Sequence, residues 1–545
     1  MSASTRRIAP DTLVPGAVSH AETAIDHLRS RQSRTVRDVI NRAACGDYPG
    51  WLDHIRAAAG CARPIRLAGQ VHTIDPATGQ IIAATDTASM PDGVIYKACG
   101  NRRASVCPSC STVYQYDAYQ LLRAGLAGGK HIPESVSSHP AVFATFTAPT
   151  FGAVHARVVT THTCRDRTRC RCRPQPCHIR RSGGTCQHGQ PAVCFTRHRA
   201  DDPVLGEPLC LDCYDHDHQV VWNLHAGELW RRTKQAIERH LTRLAKQRGL
   251  MLRVIGSDGR TRSVSPVRVS HGKAAEFQAR GAIHFHALIR LDGVDPDDPA
   301  AIVPPPTGIT ITDLDNAIRA AAGRIGFTTT AHPQRPDGWS ISWGQQLDIR
   351  YISIRSTDIT DRMVAGYLAK YATKSTEATG HTSTRLTLDT IGLYLDRDNH
   401  IGRLIEACWR LGTNPTPLVV DYDANPYLRL RRWAHMLGFG GHFLTKARHY
   451  TSTFGELRAN RTTWRRELDQ QHVDVDVHPP HVRDPADTDE TILVIGHLTY
   501  TGTGWHTTGD ALLANTAAAI ARERARVARE ESTRLHAAAN ALAAA

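Results

Sequence analysis

Two short stretches of this 545-residue chain carry side chains spaced for chemistry. The first is Glu276-Phe277-Gln278-Ala279-Arg280-Gly281-Ala282-Ile283-His284-Phe285-His286-Ala287-Leu288-Ile289. Alternation from Ile283 to Ile289 has the period of a strand, so His284 and His286 project from one face. Imidazoles placed this way share one divalent ion and leave positions open for substrate. The third ligand of such a site is usually a carboxylate. A turn at Arg280–Ala282 around Gly281 puts Glu276 and Gln278 on the histidine face, with Glu276 opposite His286 and so the third ligand. A change of register by a single residue would spoil this, because it exchanges the two faces. The expected cation is magnesium or manganese.

The second stretch is Val364-Ala365-Gly366-Tyr367-Leu368-Ala369-Lys370-Tyr371-Ala372-Thr373-Lys374. On a helix, Tyr367 and Tyr371 are one turn apart on one face, with Lys370 and Lys374 beside them. Two of the chain's eight lysines therefore sit here. Together the motifs suggest one reaction. A tyrosine hydroxyl attacks a DNA phosphodiester and leaves a 5′-phosphotyrosine and a free 3′-hydroxyl. A divalent ion polarises the phosphate, and a lysine stabilises developing negative charge. The covalent link conserves the bond energy, so the strand is rejoined without ATP. Each motif alone has a blander reading: histidines on a solvated strand face, and an amphipathic helix with tyrosines half in the core.

Fourteen cysteines form a second signal, eleven of them between Cys99 and Cys213. With no export signal this clustering suggests metal binding in a reducing cytoplasm, not a disulfide scaffold. Cys107-Pro108-Ser109-Cys110 and Cys210-Leu211-Asp212-Cys213 are two Cys-x-x-Cys knuckles. Their thiolates suit one tetrahedral zinc site, with Cys99 a competing ligand for the first. Between them, Cys164, Cys170, Cys172, Cys177, Cys186 and Cys194, with His178 and His188, suffice for a second zinc site whose ligands the spacing leaves open; Cys164, Cys186 and Cys194 are the candidates.

Lysine and arginine total 66 against 52 acids, a net charge of +14, which attracts polyanions such as nucleic acid. The hydrophobic share of 41% excludes wholesale disorder. No apolar run approaches the ~18 residues of a membrane span, so no membrane partner is expected. The segment 124–131 only mimics a phosphate-binding loop: His131 stands where serine or threonine would bind magnesium. No ATPase motor is evident.

The elements that must position these groups follow from periodicity. A strand is expected at 142–147, a long amphipathic helix at 222–248 stopped by Gly249, a hairpin at 265–292, and helices at 312–323 and 360–374. A hairpin turn is expected near residues 74–81, a strand pair at 491–507 and a helix from about 510. The resulting division is 1–95, an N-terminal helical and strand region; 96–220, a Cys-rich zinc module including the first core strand; 221–415, the nuclease core; 416–470, a basic DNA-binding region; and 471–545, a linker, short strands and a helix. In the basic region Trp433, His435, Lys446, Arg448 and Tyr450 are candidate DNA contacts, and Arg280 is another near the histidines.

His284-Phe285-His286 and Tyr371-Ala372-Thr373-Lys374 resemble motifs of the HUH endonucleases of rolling-circle replication, and Phe143-Ala144-Thr145-Phe146-Thr147 is similar to their first-strand motif. More closely, the chain resembles the RepSA-type replication initiators of actinobacterial plasmids and integrative elements. The segments that carry this are 276–286, Ala226-Gly227-Glu228-Leu229-Trp230-Arg231-Arg232, and Leu437-Gly438-Phe439-Gly440-Gly441-His442-Phe443-Leu444-Thr445-Lys446. The resemblance spans roughly residues 95–465. It implies an α+β fold: an HUH-type antiparallel sheet flanked by helices, with an inserted zinc module and a helical C-terminal region. It implies nicking of plasmid origin DNA, a covalent tyrosyl intermediate and later closure, with a host helicase and polymerase as partners. Tyr371 matches the single-tyrosine pattern and is the expected first nucleophile; Tyr367 then serves termination or positions the DNA. Two rival readings remain: a conjugative relaxase or transposase of the same superfamily, and a non-catalytic zinc-dependent nucleic-acid-binding regulator.

Overall fold

The computed structural model describes residues 33–74, 78–158, 175–178, 183–255, 258–352, 361–373, 384–413, 421–422, 425–474 and 493–543. It is a mixed α+β structure whose described strands, numbered β1 to β13 along the chain, pair antiparallel in four sheets. The chain divides into two compact units, residues 1–112 with 481–545, and residues 113–480.

The first unit joins the two ends of the sequence. β1 (Ile65–Ile74) forms the hairpin expected near 74–81 with β2 (Ile81–Asp86), and also pairs with β3 (Ile95–Lys97). Along its other edge it pairs with β13 (Leu493–Thr503) from Ile65 to Ile74. The stretch 491–507 is therefore one strand and not a strand pair, because its partner comes from the opposite end of the chain. The helix Thr508–Ala543 follows, close to where the periodicity puts it. Trp51, Ile55, Tyr96, Trp505 and Ala514 make this unit's small core. Asp92 ties it together, accepting from Trp51 Nε1 at 2.8 Å and Tyr96 Oη at 2.9 Å while pairing with Arg42 at 2.7 Å.

The second unit is built on β4 (Ala141–Phe146), β7 (Val267–Phe277), β8 (Ile283–Gly293), β11 (Leu347–Tyr351) and β12 (Leu444–Lys446), in the order β11-β4-β8-β7-β12. β5 (Leu252–Ile255) with β6 (Thr261–Val264), and β9 (Gly326–Thr328) with β10 (Ser340–Ser342), are small separate hairpins. β8 is the central strand and is buried along nearly its whole length, as its unbroken apolar run requires.

The two faces of this sheet carry different helices. The long helix runs His216–Gln247, starting earlier than periodicity alone suggests because Asp215 caps it, accepting from His218 N at 2.9 Å. It ends before Gly249, whose φ of +71° continues no helix. Its buried stripe of Ala226, Leu229, Trp230, Ala236, Ile237 and Leu241 shares a core with Val142, Ala144, Phe146, Phe285, Ala287 and Ile289. The helix Asp361–Ala372 covers the opposite face, where Val364, Ala365, Leu368 and Ala369 pack with Ala274, Leu288 and Ala141. His284 and His286 belong to this second face, because they alternate with Phe285 and Ala287.

One buried ion network braces β7 and β8. Asp292, fully buried, accepts from Arg290 Nε at 2.6 Å, Ser270 Oγ at 2.5 Å and His139 Nδ1 at 2.8 Å. Arg290 also donates to the carbonyls of Gly125 and His449. Burial alone would raise the Asp292 pKa, but the donors from His139, Arg290 and Ser270 overturn this and hold the carboxyl below its ordinary range. A depressed carboxylate pKa contributes stability that is complete above the unfolded value, about 3.9, and is lost as pH falls below it. Asp292→Ala would leave Arg290 charged, buried and uncompensated. It is expected to cost about 3–5 kcal/mol in urea unfolding at pH 7, with the gap narrowing on acidification. No helix of the described residues is long and apolar enough to cross a membrane.

Candidate functional site

The β7–β8 hairpin sets the position of the histidines. The turn lies at Ala279–Gly281, closed by Gln278 N–H donating to Ala282 O at 2.8 Å, with Gly281 at φ +74°. Glu276 is therefore opposite His284, and Ala274 opposite His286. The expected register put Glu276 opposite His286. The difference is a slip of two, which preserves the face, so the three residues still converge. The long helix holds the turn in place. Buried Asn223 donates to Gly281 O at 3.0 Å and Leu437 O at 2.8 Å and accepts from Ile283 N at 3.0 Å, while Gln219 Nε2 donates to Arg280 O at 2.8 Å.

Glu276 Oε2 lies 3.0 Å from His284 Nε2 and 3.2 Å from His286 Nε2. One oxygen and two nitrogens, all within 4.8 Å of one another, form a set able to hold a divalent cation from one side. The other nitrogen of His286, Nδ1, is 3.1 Å from Thr145 Oγ1 on β4, a contact that fixes the ring and directs Nε2 at the carboxylate. Phe143 stacks on His286 with centroids 5.7 Å apart and planes at 7°.

The helix Asp361–Ala372 brings Tyr367 to the same place. Its ring meets His286 edge-on at 5.2 Å and Phe143 at 5.8 Å, and it is 41% exposed, so solvent and ligand can reach it. Lys370 is exposed on this helix. Tyr371 is on the same helix one turn on, but its side chain, like all of Lys374, lies outside the described residues.

The other candidates for DNA contact divide. Arg448 is exposed. Lys446 donates Nζ to Thr451 O at 2.6 Å, and burial lowers its pKa against the pull of Glu456. Arg280 is half-buried: it donates to Gln278 Oε1 at 2.9 Å and Ala148 O at 3.2 Å and lies over Phe151, and burial lowers its pKa with Tyr214 opposing. Tyr450 and His435 are buried, and Tyr450 donates its hydroxyl to Leu122 O at 2.9 Å, so these two are parts of the core and not contacts for DNA.

Among the described residues, cysteines gather in three groups, not two. Cys107 and Cys110 join Cys61 and Cys99 in the first unit; Cys210 and Cys213 join Cys186 and His188; Cys177 and Cys194 join His155 and His198. The expected single site closed by both knuckles is thus replaced by two, each completed by ligands nearer at hand. Cys186 and Cys194, expected together, fall in different groups, and Cys164 lies outside the described residues. In the first group Cys99–Cys110 and Cys61–Cys107 sulfurs are 3.7 and 3.9 Å apart. A tetrahedron with zinc–sulfur bonds of about 2.3 Å has edges of about 3.8 Å, whereas a disulfide needs about 2.05 Å. The amides of Ala62 and Cys99 donate to Cys107 and Cys61 sulfurs at 3.3 Å, which favours thiolates. In the second group His188 Nδ1 is 3.3 Å from Cys213 and 3.6 Å from Cys210 sulfur.

A family model described as RepSA, replication initiator protein, pSAM2, matches residues 47–519. The chain belongs to the RepSA family of replication initiator proteins. It is also similar to a replication initiator protein of Streptomyces ambofaciens, 40% identical over 491 residues that cover 89% of this chain and 93% of that one. No solved structure matches it. The stretch matched to the RepSA family takes in the histidine pair, the tyrosine helix and all three cysteine groups.

Several residues of the candidate site and of the cysteine groups in this RepSA protein are invisible to spacing alone. Thr145 and Phe143 sit in a quoted motif, but their contact with His286 depends on the β4–β8 register, Thr145 opposite His286. Asn223 reads in sequence as one polar residue in a helix. Cys61 lies 38 residues before its partner Cys99, too far for any short-range pattern. His155 and His198 have no signal beyond proximity to cysteines.

Proposed function

We propose that this RepSA protein starts rolling-circle replication of a plasmid or integrative element by nicking one strand of its origin, and that the five-stranded sheet is an HUH-type nuclease core. The observation that carries the reading is the convergence of Glu276, His284 and His286 with Tyr367 on one sheet face. The donor set fits a magnesium or manganese ion, because two imidazole Nε2 atoms and one carboxylate oxygen converge from one side and leave the ion's remaining positions open. When bound, the ion supplies Lewis-acid polarisation of the scissile phosphate.

The protein's own groups do the rest. Glu276, His284 and His286 would hold the ion, and Thr145 keeps the His286 ring turned toward Glu276. A tyrosine oxygen bonds to phosphorus, its proton passes to solvent, and solvent returns one proton to the departing 3′-oxygen. The bond from phosphorus to the 3′-oxygen breaks, giving a 5′-phosphotyrosine and a 3′-hydroxyl; the reverse attack by that hydroxyl closes the strand. The resemblance favours Tyr371 for the first attack, while the packing of Tyr367 against His286 supports its reaching the same phosphate. Lys370 and Lys374 stabilise charge on the phosphate oxygens. Arg448 and Lys446 assist in holding origin DNA, and zinc in the two knuckle groups is structural.

Supercoiled origin plasmid with manganese tests this. The expected result is a nicked circle with protein attached at the 5′ end; intact plasmid in the presence of bound, folded protein would favour a regulator without catalysis. A finer expectation concerns Thr145→Val, which keeps the shape and removes the hydroxyl. It should weaken manganese binding about 10–100-fold in isothermal titration with little change in unfolding midpoint.

A further inference from the structure

The third group of metal-binding residues has no counterpart in the knuckle pattern, and it is also the best supported by its surroundings. His155 Nδ1 is 3.2 Å from His198 Nε2, and Cys194 sulfur is 3.5 Å from the same nitrogen. Tetrahedral zinc with bonds of about 2.0 Å to nitrogen and 2.3 Å to sulfur requires separations of about 3.3–3.6 Å for such pairs. Cys177 sulfur receives the Ala156 amide at 3.1 Å. The other nitrogen of His198 lies 2.7 Å from Asp202 Oδ2, the carboxylate–histidine arrangement that fixes which nitrogen faces a metal. Backbone bonds bring the ligands together before any ion is considered: Cys177 N–H donates to Thr196 O and His178 N–H to Cys194 O, while His155 exchanges bonds with Glu207 and Gly206.

We propose that His155, Cys177, Cys194 and His198 hold a zinc ion, with Asp202 as a positioning residue, and that this ion secures one wall of the groove at the β7–β8 turn. Gly206 lies so close to the β7–β8 turn that a Cβ there would be 2.5 Å from the Ala279 carbonyl carbon. The groove, of about 840 Å³, runs between His155–Arg157, Leu205–Gly206, Gln278–Arg280 and Thr147. Thr147 and Gln278 follow directly on the ends of β4 and β7, the strands that carry Thr145 and Glu276. The wall function rests on the nicking proposal; the zinc site does not, and it is measured on unreacted protein.

The test uses the full chain. Metal analysis of Cys177→Ser should give one zinc fewer per chain than the native protein, and cobalt substitution should show a native-minus-variant difference spectrum of a two-thiolate tetrahedral site. Asp202→Asn should keep the full zinc count but release one ion at least tenfold faster to a chelating dye, the others unchanged. Alkylation of the native chain guards against misfolding of a variant: zinc should protect Cys177 and Cys194, and strand binding to a single-stranded origin oligonucleotide should weaken in Asp202→Asn after chelation. Equal alkylation of both cysteines with and without zinc, or an unchanged zinc count in folded Cys177→Ser, overturns the site. Protection with unchanged strand binding leaves the zinc site standing and overturns its role in the groove.

Discussion

Replacing His284 and His286 together by alanine is expected to lower origin nicking about 10³-fold, or ~4 kcal/mol of transition-state stabilisation. Manganese binding in isothermal titration should disappear with it. His286 is nearly buried, at 3% exposed, so part of any loss could come from a cavity beside Phe143. Glu276→Gln separates the two causes. It keeps the volume, removes the negative charge that gathers both Nε2 atoms, and should lower nicking and manganese affinity while the urea midpoint stays near the native value. Full nicking in Glu276→Gln, with manganese still required, would place the cation elsewhere.

The tyrosines carry the second large effect. Tyr367→Phe/Tyr371→Phe should reduce covalent protein–DNA product by about 10⁴-fold, because it removes the attacking oxygens and nothing else. Phenylalanine at 367 keeps the ring that meets His286 and Phe143 edge-on, so the sheet face and its cation should be undisturbed. Binding of a single-stranded origin oligonucleotide should therefore stay close to native in a fluorescence titration. The single variants then assign roles. Loss of the first nick in Tyr371→Phe with its retention in Tyr367→Phe fits initiation by Tyr371; the opposite pattern gives initiation to Tyr367. Retained covalent product in the double variant would exclude both.

Much of the candidate site was legible because its chemistry is local. His-x-His on a strand and two tyrosines one helical turn apart define faces by spacing alone, and Glu276 follows from a short turn whose exact closure changes the partner but not the face. Long-range completion was not legible. Thr145 reaches His286 only through the pairing of β4 with β8, with the Cys/His-rich stretch between them in sequence. The knuckles misled for a related reason. A Cys-x-x-Cys pair supplies half of a tetrahedron, and sequence cannot tell whether the other half is a second knuckle or scattered residues such as Cys61 and His188. The antiparallel core and its helices follow from periodicity, whereas the pairing of β13 with β1 depends on a contact between the two ends of the chain.

One measurement bears most directly on the tyrosine mechanism: mass spectrometry of the tryptic peptide left on the 5′ end of a nicked origin oligonucleotide. Cleavage after Arg362, Lys370 and Lys374 separates Tyr367 and Tyr371 into the peptides Met363–Lys370 and Tyr371–Lys374. A nucleotide joined through its phosphate to the tyrosine of either peptide is the predicted result. A nick with no attached peptide, or attachment at a residue outside Asp361–Lys374, contradicts the account.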